Sequence, residues 1–168
     1  MPQPTALMLN QYVGLLPAVF WNRAKDPYIY GVDFLPATLS TTTTVQLQVN
    51  SDSDFACYGL TGTFFAVDNT TFLAAPVLTL QIADAGSGRF WSNQPIHVMN
   101  WIGQVGGTAA AGMYFWVKPK IVGGGSTLTL AMTNLAATSY NVRLALHGLK
   151  IYPFPEQGYY NPLPMVNG

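Results

Sequence analysis

Charged side chains are scarce in this sequence. Asp, Glu, Lys and Arg make up 8% of its 168 residues, where about 25% is usual for a soluble globular domain. The formal net charge is zero, so electrostatic repulsion does little to keep copies of the chain apart. A monomer of this size exposes on the order of 8,000 Å². We therefore expect much of that surface to be covered by other subunits.

The same shortage bears on the classes of partner. The Lys and Arg residues are scattered along the chain, whereas a nucleic acid is bound by clustered cations. No apolar run reaches the roughly 18 residues of a membrane span, and the apolar stretch 6–21 has no cation before Arg23. We expect no nucleic-acid partner, no membrane and no signal peptide. The single Cys57 gives no intramolecular disulfide and fits assembly in a reducing cytoplasm.

Catalytic patterns are missing as well. A general base or triad would have to use one of the two histidines, with an aspartate to orient it and a serine as nucleophile. The candidates for these roles are His97, His147, Asp33, Asp84, Ser87 and Ser92. Neither serine lies in a Gly-x-Ser-x-Gly elbow, and Gly86-Ser87-Gly88 is typical of a turn. We expect no catalytic residues and a protein that is not an enzyme.

Metal and nucleotide patterns are equally weak. Asp52 and Asp54 form a fragment of a calcium loop, but calcium takes six or more oxygen ligands and an Asx turn explains the pair. Two histidines and one cysteine without close spacing do not make a zinc site. The glycines at 106, 107, 112 and 123–125 lack the strand and helix context of a nucleotide loop. We expect no metal and no cofactor.

A period of two dominates residues 41–152. Apolar and polar residues alternate around 45–49, 78–82, 128–132 and 140–146, as they do in half-buried strands. Turn-forming clusters separate these runs at 50–54, 68–71 and 84–88, and no convincing helical period appears. The pattern predicts an all-β protein, an antiparallel β-sandwich of about eight strands, jelly-roll-like in its connections.

The alternation changes phase at Gly148. Before it, Leu144 and Leu146 are the apolar positions; after it, Leu149 and Ile151 are. A glycine at a phase change is typical of a β-bulge that flips the faces of a strand, and we predict one here.

Both ends of the chain differ from this body. Residues 1–40 contain five prolines and little periodicity but many apolar side chains, and residues 153–168 are rich in Pro and Tyr with one charge. Solvated disordered tails are usually charged and poor in aromatics. We therefore predict an extended N-terminal arm, 1–40, a sandwich domain, 41–152, and a C-terminal arm, 153–168. The arms dock on the chain's own sandwich or on a neighbour.

Aromatic residues are abundant, at 13% of the chain. Core packing and subunit contacts explain most of them, although exposed tryptophans or tyrosines could form a platform for sugar rings. The candidates for intersubunit contacts lie in or near the arms: Phe20, Trp21, Tyr28, Tyr30, Phe154, Tyr159, Tyr160 and Leu163.

The last third of the chain resembles a known group of proteins. A lead-in Gly123-Gly124-Gly125-Ser126, a strand ending in Thr133-Asn134 and a final strand with Gly148-Leu149-Lys150-Ile151-Tyr152 resemble the C-terminal part of small all-β virion proteins of tailed bacteriophages. The resemblance implies a homo-oligomeric structural protein that decorates or stabilises the capsid or its neck. Its partners would be its own copies and other virion proteins, the major capsid protein or neck, in virions assembled in the host cytoplasm. The alternative is a carbohydrate- or receptor-binding β-sandwich module with a glycan partner.

Overall fold

The fold is given by a computed structural model, which describes residues 13–37, 40–68, 70–72, 76–102 and 114–155. Regular structure in these ranges is almost entirely β-strand. No helix within them is long and apolar enough to cross a membrane. The strands and helices in chain order are a 3₁₀ helix (Ala18–Phe20), β1 (Arg23–Ala37), β2 (Thr42–Gln48), β3 (Asp54–Phe65), β4 (Leu78–Asp84), β5 (Arg89–Phe90), β6 (Ile96–His97), α1 (Met99–Ile102), β7 (Tyr114–Val122), β8 (Thr127–Asn134) and β9 (Tyr140–Pro155).

The nine strands form two antiparallel sheets packed face to face. Sheet A has the strand order β1-β9-β3-β7, and sheet B has the order β2-β8-β4-β5, with β6 also paired to β4. The prediction of an all-β antiparallel sandwich is confirmed. The strand beyond the predicted eight is β1, which lies inside the segment predicted as an N-terminal arm.

The strand pairing is nested. β1 pairs with β9, β2 with β8, β3 with β7, and β4 with both β5 and β6. β9 also pairs with β3, and β8 with β4, so successive nested pairs lie in alternate sheets. The chain is thus one long hairpin of paired strands folded over into two layers.

Alternate residues of the strands fill the space between the sheets, because successive side chains of a strand point to opposite faces. On β8, Leu128, Leu130 and Met132 are completely buried and the residues between them are half-buried. Burying one such side chain contributes about 1.5–3 kcal/mol. The same alternation on the facing and neighbouring strands buries Leu78, Leu80, Ile82, Phe34, Val142, Leu144 and Leu146.

A second, smaller core lies on the outer face of sheet A. The N-terminal segment, residues 13–22, crosses this face, and its Leu16 is only 3% exposed. The Trp21 Nε1 donates a hydrogen bond to the Leu16 carbonyl oxygen at 2.8 Å, which holds the segment in a compact turn. The residues of this second core are Val13, Leu16, Phe20, Ala56, Tyr58, Ile121, Leu149 and Ile151.

The bulge predicted at Gly148 is wrong. β9 pairs with β1 without a register shift on either side of Gly148. The shift lies in the neighbouring strand β3, where Cys57 is opposite Gly148, Gly59 is opposite His147, and Tyr58 is the extra residue between them.

The change in apolar phase after Gly148 has a different cause. Leu149 and Ile151 lie on the outer face of sheet A and are buried there by the N-terminal segment. The strand keeps its alternation, while the face that is covered changes along its length.

The sandwich has two distinct ends. At the arm end, Arg23 of β1 lies opposite Pro155 of β9, and β3 begins beside the end of β7. At the loop end, Ala37 lies opposite Tyr140, Phe65 of β3 lies opposite Asn141, and Leu78 of β4 lies opposite Asn134 of β8.

The predicted N-terminal arm is only partly an arm. Within it, β1 is paired along its length with β9, so residues 23–37 are a strand of sheet A. Prolines are tolerated there because β1 is an edge strand, where a missing N–H donor costs no ladder bond on the open side. Of the predicted C-terminal arm, residues 156–168 lie outside the described residues.

Candidate functional site

The two chain ends leave the described fold on the same part of sheet A. Residue 13 packs on the outer face beside Leu149 and Ile151, and Pro155 pairs with Arg23 at the arm end. Val13 and Pro155, the first and last described residues, therefore lie near the same end of the sandwich.

A buried lysine organises the arm end. Lys150 is 6% exposed, and its Nζ lies 3.7 Å from Asp52 Oδ2 and 4.3 Å from the centre of the Tyr28 ring. A buried ammonium needs such partners because its desolvation is costly. The Asp52 carboxylate supplies one partner from the β2–β3 turn and the Tyr28 ring supplies the other from β1, which fixes β9 against both.

Further polar contacts surround this lysine. Arg23 Nη1 lies 3.5 Å from Asp54 Oδ2, while Asp54 Oδ1 accepts a hydrogen bond from the Gly124 N–H at 3.0 Å. Partial burial and a hydrogen bond to Asp26 raise the pKa of the Tyr152 hydroxyl. A shallow depression opens among these groups, lined by Gln48, Val49, Asn50, Ser51 and Asp52.

The predicted intersubunit residues divide into three groups. Trp21 and Phe154 are more than half exposed and Tyr28 is 36% exposed, so all three keep surface for a contact at the arm end. Phe20 is half-buried under Arg23, and the Arg23 guanidinium carbon lies 5.2 Å from the centre of the Phe20 ring. Tyr30, at 7% exposure, packs edge-on against Phe55 in the core and has almost no surface left for a subunit contact. Tyr159, Tyr160 and Leu163 lie outside the described residues.

The candidate catalytic residues are not brought together as a triad. The two histidines are in different sheets: His97 Nδ1 accepts a hydrogen bond from the Met99 N–H at 3.3 Å, and His147 Nε2 lies 2.8 Å from Thr61 Oγ1. Burial lowers the pKa of His147. The remaining candidates make local contacts. Asp84 accepts hydrogen bonds from the Gly86 N–H and the Ser87 hydroxyl, Ser92 donates to the Gln94 carbonyl, and Asp33 pairs with Arg143 at 3.6 Å.

Metal-ligating side chains do not gather in the described ranges. No group of three or more His, Cys, Asp or Glu side chains suited to hold a metal ion occurs there. Asp52 and Asp54 are engaged by Lys150 and Arg23, as described above. Cys57 is completely buried, and this burial strongly raises the pKa of its thiol, so it is an inert core residue.

Three tryptophans meet at the open edge of the sandwich, a grouping that their spacing in the sequence does not reveal. The ring of Trp116 on β7 lies 5.4 Å from that of Trp91 and 5.9 Å from that of Trp101, edge to face in both cases. Trp101 is buried and its Nε1 donates to the Leu80 carbonyl at 3.1 Å. Trp91 and Trp116 are half-buried, so part of each ring remains accessible.

Comparisons with known proteins give low similarities. No protein-family model matches the sequence, and no curated protein matches it. Among solved structures, the chain is similar to one from the cyanophage Pam1 capsid asymmetric unit, with a TM-score of 0.41 and 23% identity over 82% of this chain and 91% of that one.

Two further structures are extracellular domains from a plant. The chain is similar to the ANXUR2 extracellular domain from Arabidopsis thaliana, with a TM-score of 0.35 and 16% identity over 72% of this chain and 32% of that one. For the ANX2 ectodomain the TM-score is 0.31 and the identity 16%, over 68% and 30% of the two chains. Likenesses at these levels carry no functional conclusion.

Proposed function

We propose that this chain is a non-enzymatic structural protein of a tailed-phage virion, which decorates or stabilises the capsid or its neck through subunit contacts. The observation that carries the proposal is the shortage of charge together with large hydrophobic side chains that are well exposed in the single chain. These are Leu15, Val19, Trp21, Tyr28, Ile29, Leu35, Val67, Phe72, Val77, Phe90, Phe115, Val117, Leu135 and Phe154. Such a surface favours burial against neighbours, at about 25 cal/mol per Å² of apolar area.

The position of the chain ends supports an assembly role. Val13 and Pro155, the first and last described residues, both lie near the arm end, where the aromatic side chains of Trp21 and Phe154 are exposed. An extended arm can reach across an interface and add to the edge of a neighbouring sheet. The proposed partners are further copies of this chain and other virion proteins, the major capsid protein or the neck, with assembly in the host cytoplasm.

The nested strand pairing supports the more specific jelly-roll prediction. A long antiparallel hairpin that is rolled over places β1, β9, β3 and β7 in one layer and β2, β8, β4 and β5 in the other. That is the arrangement expected when two Greek keys share a sandwich, as in jelly rolls of viral capsid and lectin domains. This support is an analogy at the level of the fold.

Particle association tests the proposal. The full chain, a truncation that ends at residue 155, and a truncation that begins at residue 13 are each added during assembly of virions that lack the native protein. We expect the full chain to remain with purified particles and the 155 truncation to be lost from them while keeping the circular dichroism of the folded sandwich. A full chain that never sediments with particles would disprove the virion role; an unimpaired 155 truncation would disprove the role of the arm.

A glycan-binding module is the second candidate, and the accessible parts of Trp91 and Trp116 favour it. Aromatic ring faces stack on sugars, and Phe90 is strongly exposed beside Trp91. A glycan array with the purified full chain tests this candidate, with Trp91→Ala as the variant that should abolish any signal. Retention of the signal in Trp91→Ala would exclude this surface.

A further inference from the structure

We infer that one copy of this chain associates with a second copy by antiparallel pairing of strand β2 with β2 of that second copy. The pairing continues sheet B across a two-fold axis from one molecule into the next. The inference rests on the proposed role as an assembling subunit, and it names the strand that makes the contact.

β2 is an edge strand of sheet B. It pairs with β8 along its whole length, and among the described residues no strand pairs with its other side. Just beyond β2, the Val49 N–H donates to the Ser126 carbonyl at 2.9 Å. Because alternate residues of an antiparallel strand direct their N–H and C=O groups to the same side, the odd-numbered residues of β2 also face β8. The residues whose backbone groups face the open side are Thr42, Thr44, Gln46 and Gln48.

The open side of β2 lacks the features by which proteins protect an exposed edge. Such features are charged side chains, prolines, bulges and very short strands. β2 has 7 residues, of which none is charged and none is proline, and its register with β8 shows no shift. A strand of this kind is a template on which a further strand can form.

The other strand edges that the structure describes are protected. β1 contains Pro27 and Pro36, and its register with β9 shifts near both of its ends. β7 contains Pro119 between Lys118 and Lys120. β5 and β6 have 2 residues each. Over the described strands, β2 is therefore the edge at which a copy of this chain can add a full strand.

The side chains of β2 determine which strand fits beside it. Those of the even-numbered residues are exposed on the outer face of sheet B, whereas Val45 and Leu47 point to the core and are only partly buried. A fitting strand carries uncharged polar residues on one face and apolar residues on the other. A charged strand would find no ion-pair partner on this outer face, because the neighbouring positions of β8 are Thr127, Thr129, Ala131 and Thr133.

β2 itself has this pattern when it is paired about a two-fold axis at Val45. The two Val45 side chains then lie opposite each other, and Thr44 lies opposite Gln46 of the second copy. Thr42 likewise lies opposite Gln48, so outward-facing backbone groups meet outward-facing groups and form the ladder bonds in pairs. No like charges are brought together, although a two-fold contact places each surface against itself. This fit of the strand to itself, rather than neutrality alone, selects a second copy as the occupant.

Two double variants of the full-length chain test this register. Thr44→Lys/Gln46→Lys places a lysine opposite a lysine of the second copy at both positions, and Thr44→Glu/Gln46→Lys places a glutamate opposite a lysine. We measure the solution mass of the wild type and both variants by sedimentation over a range of concentrations. We expect the wild type to associate and the Lys/Lys variant to raise the dissociation constant at least about tenfold. The Glu/Lys variant should associate at least as tightly as the wild type.

β4 provides the matched control. Thr79 and Gln81 have the residue types and spacing of Thr44 and Gln46 and lie on the same outer face. β4 is an interior strand, however, paired with β8 on one side and with β5 and β6 on the other. Thr79→Lys/Gln81→Lys should therefore associate as the wild type does.

Gln46→Pro tests the backbone ladder separately. The N–H that this substitution removes faces the open side, so the bonds between β2 and β8 are kept. We expect the variant to lose the association while its thermal unfolding stays close to that of the wild type. It also carries the test if a lysine variant fails to fold.

The inference would be overturned by a wild type that stays a single chain at all concentrations, even if it joins particles, since another protein would then cover β2. A Lys/Lys or proline variant that associates unchanged would overturn it, as would a Glu/Lys variant that dissociates as readily as the Lys/Lys variant or a control that dissociates with them. Particle association is scored separately. A wild type that associates with itself through β2 but never joins particles would refute the virion role and leave this inference standing.

Discussion

Gly148 of β9 lies against the ring of Phe55 of β3, with no room for a side chain between the strands. A Cβ added to Gly148 would lie 2.5 Å from Phe55 Cε2 and would also overlap the Ala56 carbonyl oxygen. Phe55 is completely buried, and a backbone oxygen cannot move aside cheaply. We expect Gly148→Ala to destabilise the fold by roughly 1–3 kcal/mol, measured by urea unfolding.

Gly31 provides the matched control for this substitution. It lies on β1 in the same sheet, and a Cβ added there meets no atom within 4 Å. Gly31→Ala should therefore be neutral or slightly stabilising, since Ala restricts the unfolded chain more than Gly does. Equal effects of the two substitutions would show that the close approach at Gly148 does not matter.

The glycine also shows what the sequence could and could not predict. Alternation around Leu128, Leu130 and Met132 was enough to predict the strands and their buried faces, because burial on one face leaves a period of two. The same rule misread Gly148, since the apolar phase follows whichever face is covered. A strand buried first on one face and then on the other looks like a bulged strand in the sequence.

The contribution of the N-terminal segment to stability is open to a direct test. Leu16 is 3% exposed on the outer face of sheet A, where it packs with Leu149 and Ile151. We expect Leu16→Ala to cost about 2–5 kcal/mol, the range for truncation of a buried leucine. Leu15, its 44% exposed neighbour, is the control, and Leu15→Ala should change the unfolding free energy by no more than about 0.5 kcal/mol. A small effect of Leu16→Ala would mean that this segment does not stay docked in solution.

Long-range contacts explain why parts of the site escaped prediction. Residues 23–37 carry Pro27 and Pro36 and alternate only over the short run 30–34, yet pairing with β9 makes the whole range a strand. Likewise Trp91, Trp101 and Trp116 are far apart in sequence and meet only because β5, α1 and β7 converge at one edge. Exposed hydrophobic residues such as Val67 and Leu135 lie in connections where the sequence shows no periodic signal.

Asp52 should stabilise the fold mainly because its removal leaves the buried Lys150 ammonium without its carboxylate partner. Asp52→Ala leaves the buried ammonium with the Tyr28 ring as its remaining described partner, and we expect a loss of about 1–3 kcal/mol. Lys150→Met keeps the volume without the charge and should cost less. In the Lys150→Met background, Asp52→Ala should cost less, because only the hydrogen bond that the buried Ser53 hydroxyl donates to Asp52 Oδ1 at 2.9 Å is then lost. Equal costs of Asp52→Ala in both backgrounds, measured by urea unfolding, would contradict the coupling.

His147 should make the fold sensitive to mild acid. Burial beside Thr61 lowers the pKa of His147 below its ordinary value of 6.5, so between the folded pKa and 6.5 the unfolded chain binds the proton more readily than the folded one. The stability that depends on the neutral ring is complete above pH 6.5 and is lost as the pH falls through the folded pKa. In His147→Gln the side chain does not titrate, although its amide can still bond to Thr61. We expect the unfolding free energy of the wild type to fall more than that of the variant between pH 8 and pH 5; an equal fall in both proteins would show that His147 has no part in the acid response.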